Sequence, residues 1–488
     1  MRCRILVSIF LFTSVFGFGR EGRAFASGAP PGLQSDPALA AAPGGVLAVW
    51  TDTGAGPGSR LYWTRIENPV PDTAAAPVTG TGTVELAAAV ASGGAWSLAA
   101  WEGEGGGGFS ALLAAELPPG PPGPVPAVEV TPGYAPVRRP AVAAGESLAV
   151  LVWEDERAEP GDVYFARWRP GAGLLDPGGI PLAGGPADQR WPRVAGGPDR
   201  FAVVWSERQE NGSYRVVAQA LDSGGDPLGP AAPLSSPGAS ATWPDVSFAA
   251  GRFLAIWMES GAEGDVIGGA FLDLDGSPDP GGPFAVATSP GLEASPRVSG
   301  GDAGFALVWL DLEGSGRSLR RSWVDPLGVA HPREGSVLVP AGDWAADPAV
   351  AVRGDSAWIA WRRPLPEDED DLFLAVTAIE DTAGVPEAVL LTRVGGGLAA
   401  GDLPSNPKPA AYPNPFRDRV RIRAPASPGG AALRIVDVRG RVVATIPPSP
   451  WGEWSWDGRD LRGSRVPPGV YWARGPVAAA AVRLVRVR

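Results

Sequence analysis

Phe201-Ala-Val-Val-Trp205, Phe253-Leu-Ala-Ile-Trp257 and Phe305-Ala-Leu-Val-Trp309 are three copies of one short run. The run is continuously apolar rather than alternating, which calls for a strand buried on both faces. Further runs close at Trp50, Trp101, Trp153 and Trp361, and the seven tryptophans follow one another at 51, 52, 52, 52, 52 and 52 residues. Thirteen residues before the Trp stands a Pro in six of the seven repeats: Pro37, Pro140, Pro192, Pro244, Pro296 and Pro348, with Ala88 in the second.

Each repeat reads as four short strands. The Pro precedes a first strand, where no ladder donor is needed. A Gly-containing turn such as Gly196-Gly197 leads into the Trp run, and a polar loop leads to a third strand such as Val163–Trp168. A Gly/Asp turn, Asp222–Asp226 in the fourth repeat, then introduces a weaker fourth strand. Four strands in 52 residues make one antiparallel blade. A sandwich domain needs roughly 100 residues, and solenoid coils have shorter periods. Blades stacked face to face around an axis bury the second strand from both sides and leave only short edges. The expected fold is all-β: a seven-bladed β-propeller over residues 34–397, a linker at 398–411 and a small all-β domain at 412–488. The 68 Gly and 54 Pro among 488 residues would suggest disorder, but 19 Trp and a 44% hydrophobic content assign them to turns.

Residues 1–26 read as an export signal: Arg2 and Arg4, an apolar stretch from Ile5 to Phe18, and Ala24-Phe25-Ala26 before Ser27. That stretch is too short to span a bilayer, and no later segment is apolar enough, so the mature chain is expected outside the cytoplasm, extracellular or on the outer-membrane surface, and not membrane-spanning. Cys3, the only cysteine, lies within the signal, which leaves no disulfide. The net charge of −12 is unevenly divided: residues 27–404 carry −25 and residues 405–488 carry +10. So acidic a main body disfavours a nucleic-acid partner. A monomer is expected.

Among candidate site residues, the Trp series could stack carbohydrate, but its place at the end of apolar strands marks Trp50, Trp101, Trp153, Trp205, Trp257, Trp309 and Trp361 as repeat core. Acidic residues recur two positions after the Trp: Asp52, Asp155, Glu207, Glu259 and Asp311. A rim of carboxylates could bind a cation such as structural calcium, or each could cap the turn that follows. The run Glu367–Asp371 fills the same loop in the seventh repeat without the Gly-punctuated spacing of calcium loops. His331 is the only histidine, which argues against a nucleophilic triad and against zinc. No cofactor is expected. Gly105–Gly108 is followed by no helix pattern and reads as a loop rather than a phosphate cradle. Paired carboxylates for glycoside hydrolysis follow no local spacing rule and stay open, although the Ser-x-Asp-x-Gly-x-Thr-Trp turn of sialidase propellers is missing.

The C-terminal region carries Tyr412-Pro413-Asn414-Pro415-Phe416, Asp437-x-Arg-Gly-Arg-Val442, Trp456-Asp-Gly-Arg-Asp460 and Val466-Pro-Pro-Gly-Val-Tyr471, in that order. These motifs resemble type IX secretion C-terminal sorting domains and the immunoglobulin-like domain of flagellar hook-assembly proteins. The resemblance covers about residues 405–488 and implies an immunoglobulin-like β-sandwich, secretion machinery as a partner, and passage to the cell surface, with Tyr412–Phe416 as the sorting motif. Arg483, Arg486 and Arg488 resemble the basic end of such domains, and the alternating arginines are expected on a solvent face. The main repeat is similar to the Val-Val-Trp-Glu-Asp type of large secreted bacterial proteins. Together these readings favour a secreted, non-enzymatic β-propeller that binds a protein or glycan ligand. The rival is a surface polysaccharide-degrading enzyme working through rim carboxylates; a purely structural envelope part is the third reading.

Overall fold

The computed structural model describes most of residues 34–390 and, between 410 and 487, the strands and turns named below. The signal segment 1–26, Gly105–Gly108, Glu367–Glu369, residues 398–409 of the expected linker, and Pro413–Phe416 lie outside the described residues. Residue contacts divide the chain into two units that meet in sequence at Gly396 and Gly397. Both are built of β-strands alone apart from turns, and the first is propeller-like.

The described part of the first unit contains seven sheets, most of them four-stranded and each built on one repeat; the first also takes a parallel strand, Val125–Pro126, from the second repeat. The fourth runs Gln189–Gly196, Arg200–Arg208, Tyr214–Asp222 and Pro227–Pro233 in spatial order. Register places Trp205 opposite Val217 and Phe201 opposite Leu221. The second strands are buried nearly end to end, and the seven repeat tryptophans are 0–3% exposed.

Alternation along a strand explains why every position of that run is apolar. Phe201, Val203 and Trp205 share a core with Val150 and Val152 of the preceding sheet. Ala202 and Val204 share another with Phe253, Ala255 and Trp257 of the following one. Large residues on one face meet small ones on the next, so the sheets nest. The fourth segment completes the cage: Gly335 has φ +70°, and a Cβ there would stand 2.2 Å from Cη2 of Trp309.

The first strands are Gln34–Ala42, Leu86–Ser92, Val137–Ala144, Gln189–Gly196, Ser240–Ala249, Leu292–Gly301 and Ala346–Arg353. Each lies beside the first strands of the sheets before and after it, and the seventh lies beside the first. Sheets seven and one exchange no strand. They are joined by a shared core in which Ala351, Trp358, Ala360, Leu372 and Leu374 meet Val46, Ala48, Trp50 and Tyr62.

The repeat proline does not precede the first strand, as the sequence suggests, but sits within it. In every sheet the register between first and second strands slips at this point, for example between Arg190 and Arg193. A bulge leaves one residue outside the ladder, so the missing N–H of Pro costs nothing there.

In the second unit, Ala410–Tyr412, Val420–Arg423 and Glu453–Trp456 form one sheet, and Val442–Ile446, Leu433–Asp437, Gly469–Arg474 and Ala481–Arg486 form another. One core draws on both sheets, including Val420, Ile422, Leu433, Ile435, Trp456, Tyr471 and Leu484. The recurring motif residues fix turns: Asp460 Oδ1 accepts from the N–H groups of Arg462 and Ser464, and the Tyr471 hydroxyl donates to the Pro467 carbonyl at 2.7 Å. Arg486 departs from the expected solvent face. It is buried, and its guanidinium donates to the Val466 carbonyl at 2.7 Å.

Truncating Trp205 to Ala should cost about 3–5 kcal/mol of unfolding free energy, as for a buried aromatic in a filled core. Denaturant melts of the two proteins measure it, and a loss well under about 1 kcal/mol would contradict the core assignment.

Candidate functional site

The residue before the repeat proline, or before Ala88 in the second repeat, has a left-handed backbone in all seven first strands. It is Asp36, Ala87, Arg139, Trp191, Trp243, Ser295 and Asp347 in turn, with φ between 49° and 55°. For a non-glycine residue this conformation costs about 1–3 kcal/mol and persists only where the surroundings impose it. The bulge imposes it here. The backbone is therefore constant around the ring while the side chains are not.

Two stretches of this ring carry distinct chemistry. In sheets four and five, the Trp191 and Trp243 rings stack with centroids 5.2 Å apart, and the Arg139 guanidinium lies 5.3 Å from the Trp243 ring centre. In sheets seven and one stand Asp347 and Asp36. Arg362 Nε donates to Asp347 Oδ2 at 2.6 Å, a charge-assisted bond. Burial pushes the Asp36 carboxyl up, the nearby Asp347 charge pushes it further, and together they bring it to about 6. The Ala87 N–H and Arg362 oppose this without cancelling it.

A second set of residues, one position after the repeat Trp, supports the ring. The bulge frees the N–H of Arg139 and of Trp191 from the ladder, and each finds a glutamate of the preceding sheet. Arg139 N donates to Glu102 Oε1 at 2.7 Å, and Trp191 N donates to Glu154 Oε1 at 2.6 Å. Glu154 is fully buried and also receives Arg139 Nη1 at 3.0 Å and Arg190 Nη1 at 3.3 Å. Burial alone would raise its carboxyl, but Arg139, Arg190 and the Trp191 N–H outweigh it and hold it below the ordinary value.

The acidic residues two positions after the Trp point elsewhere, since neighbouring positions of a strand face opposite ways. Asp155 Oδ2 accepts the Trp153 indole N–H at 2.9 Å and pairs with Arg157. Glu259 Oε2 accepts the Trp257 N–H at 2.8 Å. Asp311 pairs with Arg320, and Glu207 with Arg215. Asp52 is buried in the second strand of its sheet. Asp155, Glu207, Glu259 and Asp311 thus serve within their own sheets. Among the described residues no group of three His, Cys, Asp or Glu side chains could hold a metal ion. His331 contacts Asp325 at 3.2 Å and lies against Trp323. Tyr412 ends a strand of the second unit.

No protein-family model matches the sequence, and no curated protein does. Solved structures are similar in fold. The β-propeller domain of the trilobed protease from Pyrococcus furiosus shares 10% identity at a TM-score of 0.45, covering 72% of this chain and 99% of that one. Trypanosoma rangeli sialidase shares 7% at 0.40, over 70% and 55% of the two chains. The α-L-arabinofuranosidase from Lactobacillus brevis shares 11% at 0.35, over 61% and 93%. At these values the likeness is one of β-propeller architecture and transfers no residue role. Because the similar structures are mostly glycoside hydrolases, the expectation that this chain is no enzyme is corrected and is not kept. Among the described residues no helix is long and apolar enough to cross a membrane.

The sequence reading missed Asp36, Asp347, Trp191 and Trp243 because it searched for what recurs. Their signal is the reverse: a fixed place before the proline filled differently in each repeat.

Asp36 also sets a pH dependence. An unfolded carboxyl titrates near ~3.9, and the folded one at about 6, so the native state binds the proton more tightly. Its contribution to stability is complete below about pH 4 and is lost as pH rises through about 6. Asp36→Asn should therefore melt higher than the unaltered chain at about pH 8, by on the order of 2–3 kcal/mol, and match it below about pH 4. Thermal melts across this range measure it; parallel profiles would contradict the assignment.

Proposed function

We propose that the first unit is a closed seven-bladed β-propeller whose axial mouth binds and hydrolyses a glycan. The observation that carries this is the carboxyl pair: Asp36, retaining its proton to about 6, beside Asp347, which pairs with Arg362. Glycoside hydrolysis needs one carboxylic acid to protonate the leaving oxygen and one carboxylate to act as base or nucleophile. Asp36 takes the first role and Asp347 the second. In a seven-membered ring the junction of sheets seven and one faces sheet four. Trp191 and Trp243 then offer an aromatic surface for a sugar ring across the mouth, with the small Ala87 and Ser295 on the two sides between. The first and seventh blades close the ring by core packing rather than by a shared strand.

The test is incubation of the mature chain with a panel of plant, animal and bacterial polysaccharides, with product detected by mass. Product should appear, fall by roughly 10²–10⁴ in Asp36→Asn and Asp347→Asn, and require more substrate for half-maximal rate in Trp243→Ala. Release that is unchanged in both aspartate variants, or no release from any polysaccharide, would sink the reading.

We further infer that the second unit is an immunoglobulin-like sorting domain that brings the propeller to the cell surface after export by the N-terminal signal. Its sorting-domain motifs and the shared core of its two sheets support this. Deleting residues 405–488 should leave the propeller folded but retained in the periplasm; unchanged surface display would end the proposal.

A further inference from the structure

One step along the first strands from the ring of pre-proline residues lies a second ring, formed by the residue after the proline: Ala38, Ala89, Ala141, Arg193, Asp245, Arg297 and Ala349. Four blades contribute a methyl group, and three consecutive blades contribute two guanidiniums and one carboxylate. These three belong to the sheets that carry Trp191, Trp243 and Ser295 at the mouth.

The charges do not balance. Asp245 is buried, and its Oδ2 already accepts the Val298 N–H of the next first strand at 2.9 Å. Its other oxygen stands 3.9 Å from Arg193 Nε, the edge of ion-pair contact. Arg297 stands beyond ion-pair distance of every described carboxylate, although its charge and that of Asp245 attract; Nη1 donates to the Pro296 carbonyl at 2.9 Å. Arg193 Nη1 likewise donates to the Pro192 carbonyl at 3.1 Å. A guanidinium has five N–H donors, so most of the donors here have no partner among the described residues. Burial lowers the Arg193 guanidinium to about 10, and repulsion from Arg297 and Arg139 adds to it. Arg139 is the residue lying over the Trp pair.

We infer that Arg193 and Arg297 form a site for an anionic substituent, a carboxylate or a sulfate ester, on the glycan that stacks at Trp191 and Trp243. This rests on the proposed glycan function and names its substrate class: acidic rather than neutral polysaccharide. Asp245 holds the two guanidiniums apart and prevents full charge build-up before the anion arrives. Planar guanidinium donors suit a two-oxygen anion, whereas lysine would supply only a point charge.

The test has two arms, both on the full mature chain. In the first, sulfate ion is titrated against chloride at equal ionic strength while the melting temperature is followed. The unaltered protein should show a saturable rise that Arg297→Gln and Arg193→Gln lack, with both variants folded by circular dichroism. In the second, binding of a galacturonic-acid trisaccharide, a sulfated galactose trisaccharide and the methyl-esterified form of the first is measured with the non-cleaving Asp36→Asn protein. A free anion should bind roughly 10- to 100-fold more tightly than the ester. Arg297→Gln added to it should erase that preference and leave ester binding unchanged. The trisaccharide that binds better identifies the source of the anion. Sulfate binding with no sugar binding would keep the anion site and remove the glycan function. No saturable sulfate effect, or equal binding of acid and ester, would overturn the site whether or not the chain hydrolyses a neutral glycan.

Discussion

Every sheet of the first unit has a second strand that is apolar on both faces, and that strand can be buried only between two other sheets. The rest of the unit depends on this. Phe201, Val203 and Trp205 need the preceding sheet, and Ala202 and Val204 need the following one. No sheet can therefore end the series without leaving a face exposed. The contact of sheet seven with sheet one is the same demand met once more, through Trp358 and Leu372 against Trp50 and Val46. No strand is exchanged there, and the described residues of the junction meet through a shared core.

The same arrangement frees the inner edge for other work. The bulge at each first strand is set by backbone geometry and, in six of the seven, by a proline that gives up a ladder bond, so the residue before it is released from ladder pairing. Selection of its side chain is open in a way that selection of the Trp is not. The seven positions accordingly hold two acids, an arginine, two tryptophans and two small residues. The strain of a left-handed backbone is spread over all seven sheets, and the buried Glu102 and Glu154 meet the N–H groups it exposes.

Much of the architecture was readable in the residues because packing demands repeat. The Trp period marked the sheets and their four-strand content, and the apolar runs marked which strand is buried twice. The role of the proline was not readable, because a bulge inside a strand and a turn before it use the same residue. Recurrence also misled the search for a site. Asp155 and Glu259 recur because an indole N–H at the end of a buried strand needs an acceptor, which is a structural need of each sheet. Asp36 and Asp347 lie far apart in sequence and meet only because the ring returns on itself, so no spacing could pair them. Arg486 shows the limit of alternation in a short strand: its stem is buried while its guanidinium reaches a backbone carbonyl.

The central claim is that the junction of sheets seven and one sets two carboxyls against each other at the mouth of the ring. Carbon-13 labelling of the aspartate carboxyls, followed by titration in the infrared, tests it most directly. One carboxyl should titrate at about 6, and in the Asp347→Asn protein the same group should move down toward the ordinary aspartate value near ~3.9. A spectrum in which every aspartate has ionised by about pH 4.5, or a high-titrating group indifferent to Asp347, would contradict the account.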